Sequence, residues 1–261
     1  MSSAAVTAVG ALWWREIVRF VRQRSRLVGA LAQPLLFWIL LGGGFSASFR
    51  PPGTAADVGA MQYFYPGIIV LVLLFTAIFS TITVVEDRRS GFLQGVLVAP
   101  IPRESIVLGQ ALGATTLAVI QGALFLLLAP LVGIPLSVAS VASVLVVLSA
   151  VAFALTSLGL LIAWRMDSTQ GFHAIMNLIL MPIWLLSGAF FPAAGAAGWL
   201  GWIMRLNPLT YGMAALRRCL YLDAPAAVGR VPSLPASLAV TAVFCGLAFA
   251  GATAMARRSR S

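Results

Sequence analysis

Val85-Glu86-Asp87-Arg88-Arg89-Ser90-Gly91-Phe92-Leu93-Gln94-Gly95-Val96-Leu97-Val98-Ala99-Pro100-Ile101-Pro102-Arg103-Glu104 is a charged segment set between two long uncharged runs. Within it Val85, Arg89, Phe92 and Val96 recur at helical spacing, with Leu93 and Leu97 beside them. A short helix here would lay an apolar stripe on a surface and turn its charges to water. Pro100 and Pro102 end it. The pattern suits an interfacial loop helix and a docking element for a soluble partner equally well.

The composition tells what the flanking runs are. Of 261 residues, 61% are hydrophobic and 9% charged, and the mean hydropathy is +0.99. A soluble domain is roughly a quarter charged, so this is an all-α polytopic membrane protein. All 17 basic residues are arginine. No lysine is present to hold a nucleotide phosphate or form a Schiff base, so this chain has no ordinary ATP site of its own. The net charge of +10 resides in arginines that flank apolar runs, which fits topology and a membrane-lipid surface and argues against nucleic acid. Cys219 and Cys245 lack metal-ligand spacing and His173 is the single histidine. Neither a disulfide nor a metal is expected.

Arg15, Arg19, Arg22 and Arg26 fall on one helical face, with Trp14, Ile17, Val18, Val21 and Val28 opposite. Residues 1–26 therefore read as an amphipathic interfacial helix lying among headgroups. Crossings of about 20 residues are expected six times: Leu27–Ser46, Phe64–Val85, Ile106–Leu128, Ser137–Trp164, Gly171–Phe191 and Leu234–Met255. Ser46-Ala47-Ser48 looks like a signal-peptide cleavage site, but the apolar stretch is too long and its leader too elaborate, so the first crossing reads as a retained anchor. With the N-terminus in the cytoplasm, Arg15, Arg19, Arg22, Arg24, Arg26, Arg88, Arg89, Arg103, Arg165, Arg257, Arg258 and Arg260 lie inside. Arg50, Arg205, Arg217, Arg218 and Arg230 lie outside. That bias places both termini in the cytoplasm. Between the fifth and sixth crossings, the apolar Ala193–Met204 and the patch from Asn207 to Leu216 read as two short helices dipping into the outer leaflet.

Several chemistries are missing. Glu16, Asp57, Glu86, Asp87, Glu104, Asp167 and Asp223 all lie outside the proposed crossings, where ion-coupled carriers need an ionisable group inside. Ser187-Gly188 lacks the preceding glycine of the usual serine-nucleophile motif, and no base is near it in sequence. Three readings are left: a transporter driven from outside its own chain, a passive channel, or a scaffold. Polar residues within the crossings, among them Gln33, Thr76, Ser80, Thr115, Thr116, Gln121, Thr156, Ser157 and Asn177, mostly glue helices, and a few are candidates to line a pathway.

Glu86-Asp87-Arg88-Arg89-Ser90-Gly91-Phe92-Leu93, Leu97-Val98-Ala99-Pro100, Pro102-Arg103 and Leu108-Gly109 resemble the cytoplasmic-loop signature of type-2 ABC export permeases, closest to the daunorubicin-exporter-like branch. Ser187-Gly188-Ala189-Phe190-Phe191-Pro192 and Asn207-Pro208-Leu209-Thr210-Tyr211 with Ala215-Leu216-Arg217 resemble that family's second signature. The resemblance implies one permease domain over residues 1–261, in a bacterial plasma (inner) membrane. It would pair with a second permease, a homodimer mate or close relative, and with two copies of a separate ABC ATP-binding subunit. Residues 86–105 would be the cytoplasmic coupling segment, with Glu86, Arg88, Arg89, Gly91, Phe92, Leu93, Val96, Leu97, Pro100, Arg103 and Glu104 meeting the ATPase. Residues 192–217, through Pro192, Asn207, Pro208, Tyr211 and Arg217, would be the outer re-entrant segment.

The implied activity is export without a cofactor or catalytic residue in this chain. Phe37, Trp38, Phe64, Phe75, Phe79, Trp184 and Phe190 suit a drug, lipid or polyketide, and glycan or lipid-linked polymer export stays open within the same family. Two positions depart from the family pattern. Ala214 replaces an acid before Ala-Leu-Arg, and Gly95 replaces a bulky or basic residue inside the coupling helix.

Overall fold

The computed structural model describes residues 3–45, 58–191 and 197–258, the side chains of Arg24, Arg26 and Leu27 excepted. Ser46-Ala47-Ser48 and Pro192 lie outside the described residues. Ten α-helices follow in chain order: α1 (Ser3–Arg22), α2 (Arg24–Gly44), α3 (Ala60–Arg89), α4 (Phe92–Val98), α5 (Arg103–Leu126), α6 (Val138–Ala163), α7 (Thr169–Trp184), α8 (Gly198–Leu206), α9 (Pro208–Leu220) and α10 (Leu234–Arg258). No strand occurs among the described residues. Such a chain must satisfy its backbone polar groups internally, and helices do so.

The bundle is built around α3. Its apolar residues run on every side of the helix, and from Tyr63 to Val85 only Phe79 escapes full burial. At 30 residues it extends about 45 Å, beyond the roughly 30 Å hydrocarbon core, so its charged end projects past the membrane. Helices α2, α5, α6, α7 and α9 surround it.

Among the described residues, five helical segments are long and apolar enough to cross a membrane: Ala60–Arg89, Arg103–Leu126, Val138–Ala163, Thr169–Ala189 and Leu234–Arg258. They fall on five expected crossings with ends shifted by a few residues. The other expected crossing falls on α2, whose described apolar part, Val28–Gly44, is shorter. It runs antiparallel along α3, from Gly29 beside Phe79 to Gly42 beside Met61, and Trp38 Nε1 donates to the Met61 carbonyl at 3.3 Å. Between α5 and α6 the turn at Ala129–Val132 closes on Gly133, between the expected crossings Ile106–Leu128 and Ser137–Trp164.

The N-terminal segment differs from the expectation for residues 1–26. Helix α1 stops at Arg22, Gln23 breaks it, and Arg24 already belongs to α2. Its packed stripe is Ala5, Leu12, Glu16 and Phe20, whereas Trp14 and Val21 are exposed. The partner of that stripe is α5. A Cβ on Gly109 would come within 2.9 Å of Leu12 Cβ, and one on Gly113 within 2.7 Å of Glu16 Cβ, so two glycines four apart admit α1 at backbone distance. Trp13 Nε1 donates to Thr116 Oγ1 at 3.1 Å across the same seam. Helix α1 is thus docked along its length on α5.

Candidate coupling surface and transport cleft

The charged segment divides differently from the single short helix expected between Val85 and Pro100. Arg89 closes α3, Gly91 turns the chain at φ 79°, and α4 begins at Phe92. That left-handed conformation costs glycine nothing and other residues about 1–2 kcal/mol. Glu86 to Arg89 therefore end a long rod, and only Phe92–Val98 form the short helix. Leu93 is buried, Val96 and Leu97 are half-buried, and Phe92 and Val98 are exposed at 41% and 82%.

Most of the segment's charges are engaged within the chain. Asp87, 2% exposed, accepts from Arg15 through both oxygens at 2.7 Å and from Arg19 at 2.7 Å. Glu86 accepts from Arg19 at 2.7 Å. Arg88 donates to the carbonyls of Trp164 at 2.7 Å and Met166 at 3.1 Å and pairs with Asp167 at 3.1 Å. Arg103 donates to the carbonyl of Ala256 at 2.8 Å, and Glu104 pairs with Arg257. These bonds draw α1 and the α6–α7 loop around the end of α3 and tie the end of α10 to the start of α5. Arg89, Phe92, Gln94, Gly95, Val98 and Pro100 remain on the surface. The coupling residues expected from sequence thus separate into scaffold, namely Glu86, Arg88, Leu93, Arg103 and Glu104, and an exposed face.

Sequence reasoning missed Glu16, which is 3% exposed. Its carboxylate accepts from Thr83 Oγ1 at 3.2 Å and lies 3.5 Å from Arg15. Burial pushes its pKa up to about 7, against the pull of Arg15, with Asp87 pushing further in the same direction. The spacing Leu12, Glu16, Phe20, an acid on an apolar stripe, is the signal that could have found it.

At the opposite end, the expected outer residues serve as joints. Asn207 caps α9, accepting from Leu209 N at 3.0 Å and donating to the Ile183 carbonyl at 2.7 Å, and Pro208 occupies the first turn. Tyr211 donates to the Arg205 carbonyl at 3.1 Å. Arg217, 5% exposed, lies over the Tyr63 ring at 4.4 Å and donates to the Tyr63 carbonyl at 3.2 Å. Tyr63 is thus the partner that the sequence around Ala214 does not supply.

A cleft of about 400 Å³ opens between α2, α3 and α7. Gln33, Phe75, Ile78, Phe79, His173, Asn177 and Met181 line it. Phe75 and Phe79 stack at 6.2 Å, and His173 meets the Phe79 edge at 6.1 Å. Two of the mildly polar residues singled out from sequence, Gln33 and Asn177, face this cleft, while Thr76 and Gln121 bond to each other across α3 and α5 at 3.0 Å. Of the other aromatics, Trp38 packs on Tyr65 and Phe125, Trp184 donates to the Gly67 carbonyl, and Phe64 and Phe190 pair with each other.

A helical multi-pass membrane protein carrying a short helix on a charged end and an amphipathic cleft among its crossings is of the transport class. Residues 7–221 match the family described as ABC-2 type transporter. The chain is 30% identical over 206 residues to the ycf38 protein of Cyanophora paradoxa, named for transport permease function, covering 78% of this chain and 70% of that one. It is 28% identical over 202 residues to nodulation protein J of Rhizobium leguminosarum bv. trifolii, covering 74% and 76%. It is also 25% identical over 216 residues to the inner membrane transport permease YadH of Escherichia coli K12, covering 80% and 81%. The chain belongs to the ABC-2 type transporter family, as a membrane permease subunit. That family works with a separate ATP-binding subunit.

Proposed function

We propose that this permease exports a hydrophobic or amphipathic molecule, of the drug, lipid or polyketide kind, from the cytoplasm or inner leaflet. Two copies of an ATP-binding subunit drive it, and a second permease, a copy or close relative, completes the pathway. The chain lies in a bacterial plasma membrane with both termini cytoplasmic, α2 is its sixth crossing, and α8 and α9 line the outer face. No cofactor resides in this chain. The cleft is the observation that carries the substrate class. Two phenyl rings and a thioether provide an apolar floor, with an imidazole and two amides at its edge. Such a lining suits a molecule with ring surface and a few hydrogen-bonding groups better than a bare ion.

In this mechanism ATP binding draws the two ATPase subunits together, their grooves carry α4, and the permease pair opens outward. Arg89, Phe92, Gln94 and Val98 form the face that meets the groove. The test is capture of a co-expressed ATP-binding subunit by the intact chain and by the Val98→Asp, Arg89→Glu double variant, followed by ATP-dependent transport in inverted vesicles. Loss of capture by the variant while it still inserts supports the reading. Equal capture by both, or transport without nucleotide, as from a passive channel, overturns it.

A further inference from the structure

Arg15 sits where three elements meet. From α1 its guanidinium holds both oxygens of Asp87 on α3, and it lies over the Phe92 ring of α4 at 3.8 Å from the ring centre. Helix α4 has 7 residues, too few to be stable alone. It hangs between left-handed Gly91 and extended Ala99, and Leu93, with half-buried Val96 and Leu97, anchors its inner side and leaves the Phe92 end to Arg15. What Phe92 rests on therefore sets the tilt of the helix.

We propose that Arg15 is the positioning residue of the coupling helix, gripping Asp87 with its edge and Phe92 with its face, and that Glu16 makes this grip depend on cytoplasmic proton concentration. The proposal rests on α4 being the helix that meets the ATPase. The charged groups around Glu16 are Arg15 and Arg19 on its own helix and Asp87 and Glu86 on α3, with the Thr83 hydroxyl donating. Helix α5 presents the uncharged backbone of Gly113. With Glu16 protonated, two arginines face two carboxylates and the charges balance. Once ionised, Glu16 is a third carboxylate that competes for Arg15 and repels Asp87. The buried carboxyl exchanges its proton near pH 7, inside the range a bacterial cytoplasm visits.

The experiment is hydrogen exchange of residues 92–98 in the full-length permease in lipid nanodiscs, without partner, at pH 6 and pH 8 and corrected for intrinsic rates. In the native chain, protection of α4 should fall between the two pH values. Arg15→Gln should lower it on the order of tenfold at pH 6. Glu16→Gln should keep pH 6 protection at pH 8. Phe92→Leu, which keeps bulk but loses the π face, should match Arg15→Gln, and Phe92→Tyr should restore protection. If Arg15→Gln fails to fold, the comparison of Phe92→Leu with Phe92→Tyr decides alone. Equal protection in those two variants, or an undiminished pH response in Glu16→Gln, overturns the proposal. Binding of the ATP-binding subunit by the native chain, measured separately, tests the role of α4 itself, and its failure leaves the exchange result standing.

Discussion

Glu16 is held among Leu12, Phe20 and the Gly113 backbone, where the loss of water costs a carboxylate far more than a neutral acid. Unfolded, it ionises near 4.5, and folded, near 7. Between those values the folded state binds more protons, so stability is greatest below about 4.5 and is lost as pH rises through 7, by up to about 3 kcal/mol. Glu16→Gln should flatten this dependence. Thermal unfolding in detergent at pH 5 and pH 8 checks it, and parallel shifts in both proteins would rule Glu16 out as the source. Gly95 poses the opposite case. Nothing lies within 4 Å of where its Cβ would be, so Gly95→Ala should stabilise α4 by about 0.5–1 kcal/mol. That gain would appear as slower amide exchange in residues 92–98, and faster exchange would contradict it.

Among elements, α1 and α4 show what pattern reading could and could not reach. Helical spacing of arginines located α1, and the stop at Pro100 located the end of α4. Which face of α1 packs was not legible, because Trp14 and Val21 are as apolar as Leu12 and Phe20. The choice depends on the glycine pair of a helix more than ninety residues away. Likewise Phe92 and Leu93 read alike, yet one is exposed and the other buried, since Gly91 re-aims the chain. Gly113→Leu should push α1 off α5 at a cost of about 1–3 kcal/mol. Limited proteolysis checks this, with new cleavage between Arg15 and Arg22 expected and an unchanged digest counting against the docked arrangement.

For the whole molecule, charge-free runs fixed five crossings because the bilayer imposes a length. The bonds at one end from Arg15 to Asp87, from Arg88 to the Trp164 carbonyl and from Arg103 to the Ala256 carbonyl were invisible, since each links residues far apart in sequence. In the topology proposed from the arginine bias that end faces the cytoplasm. In a chain with Cys219 and Cys245 replaced by serine, an impermeant thiol reagent should label Val98→Cys only from the cytoplasmic side and Leu222→Cys only from outside. Reversed labelling would invert the topology. The burial of α3 constrains how such a molecule works. A rod packed along nearly all its length, open only at the cleft beside Phe79, has little space to move into, so in the proposed transport cycle it would be the axle about which neighbouring helices turn. Substitutions at its fully buried positions will change how much protein folds, and those that alter which molecules are carried will map to the cleft, to Phe75, Ile78 and Phe79 of α3 and to the α2 and α7 residues that face them.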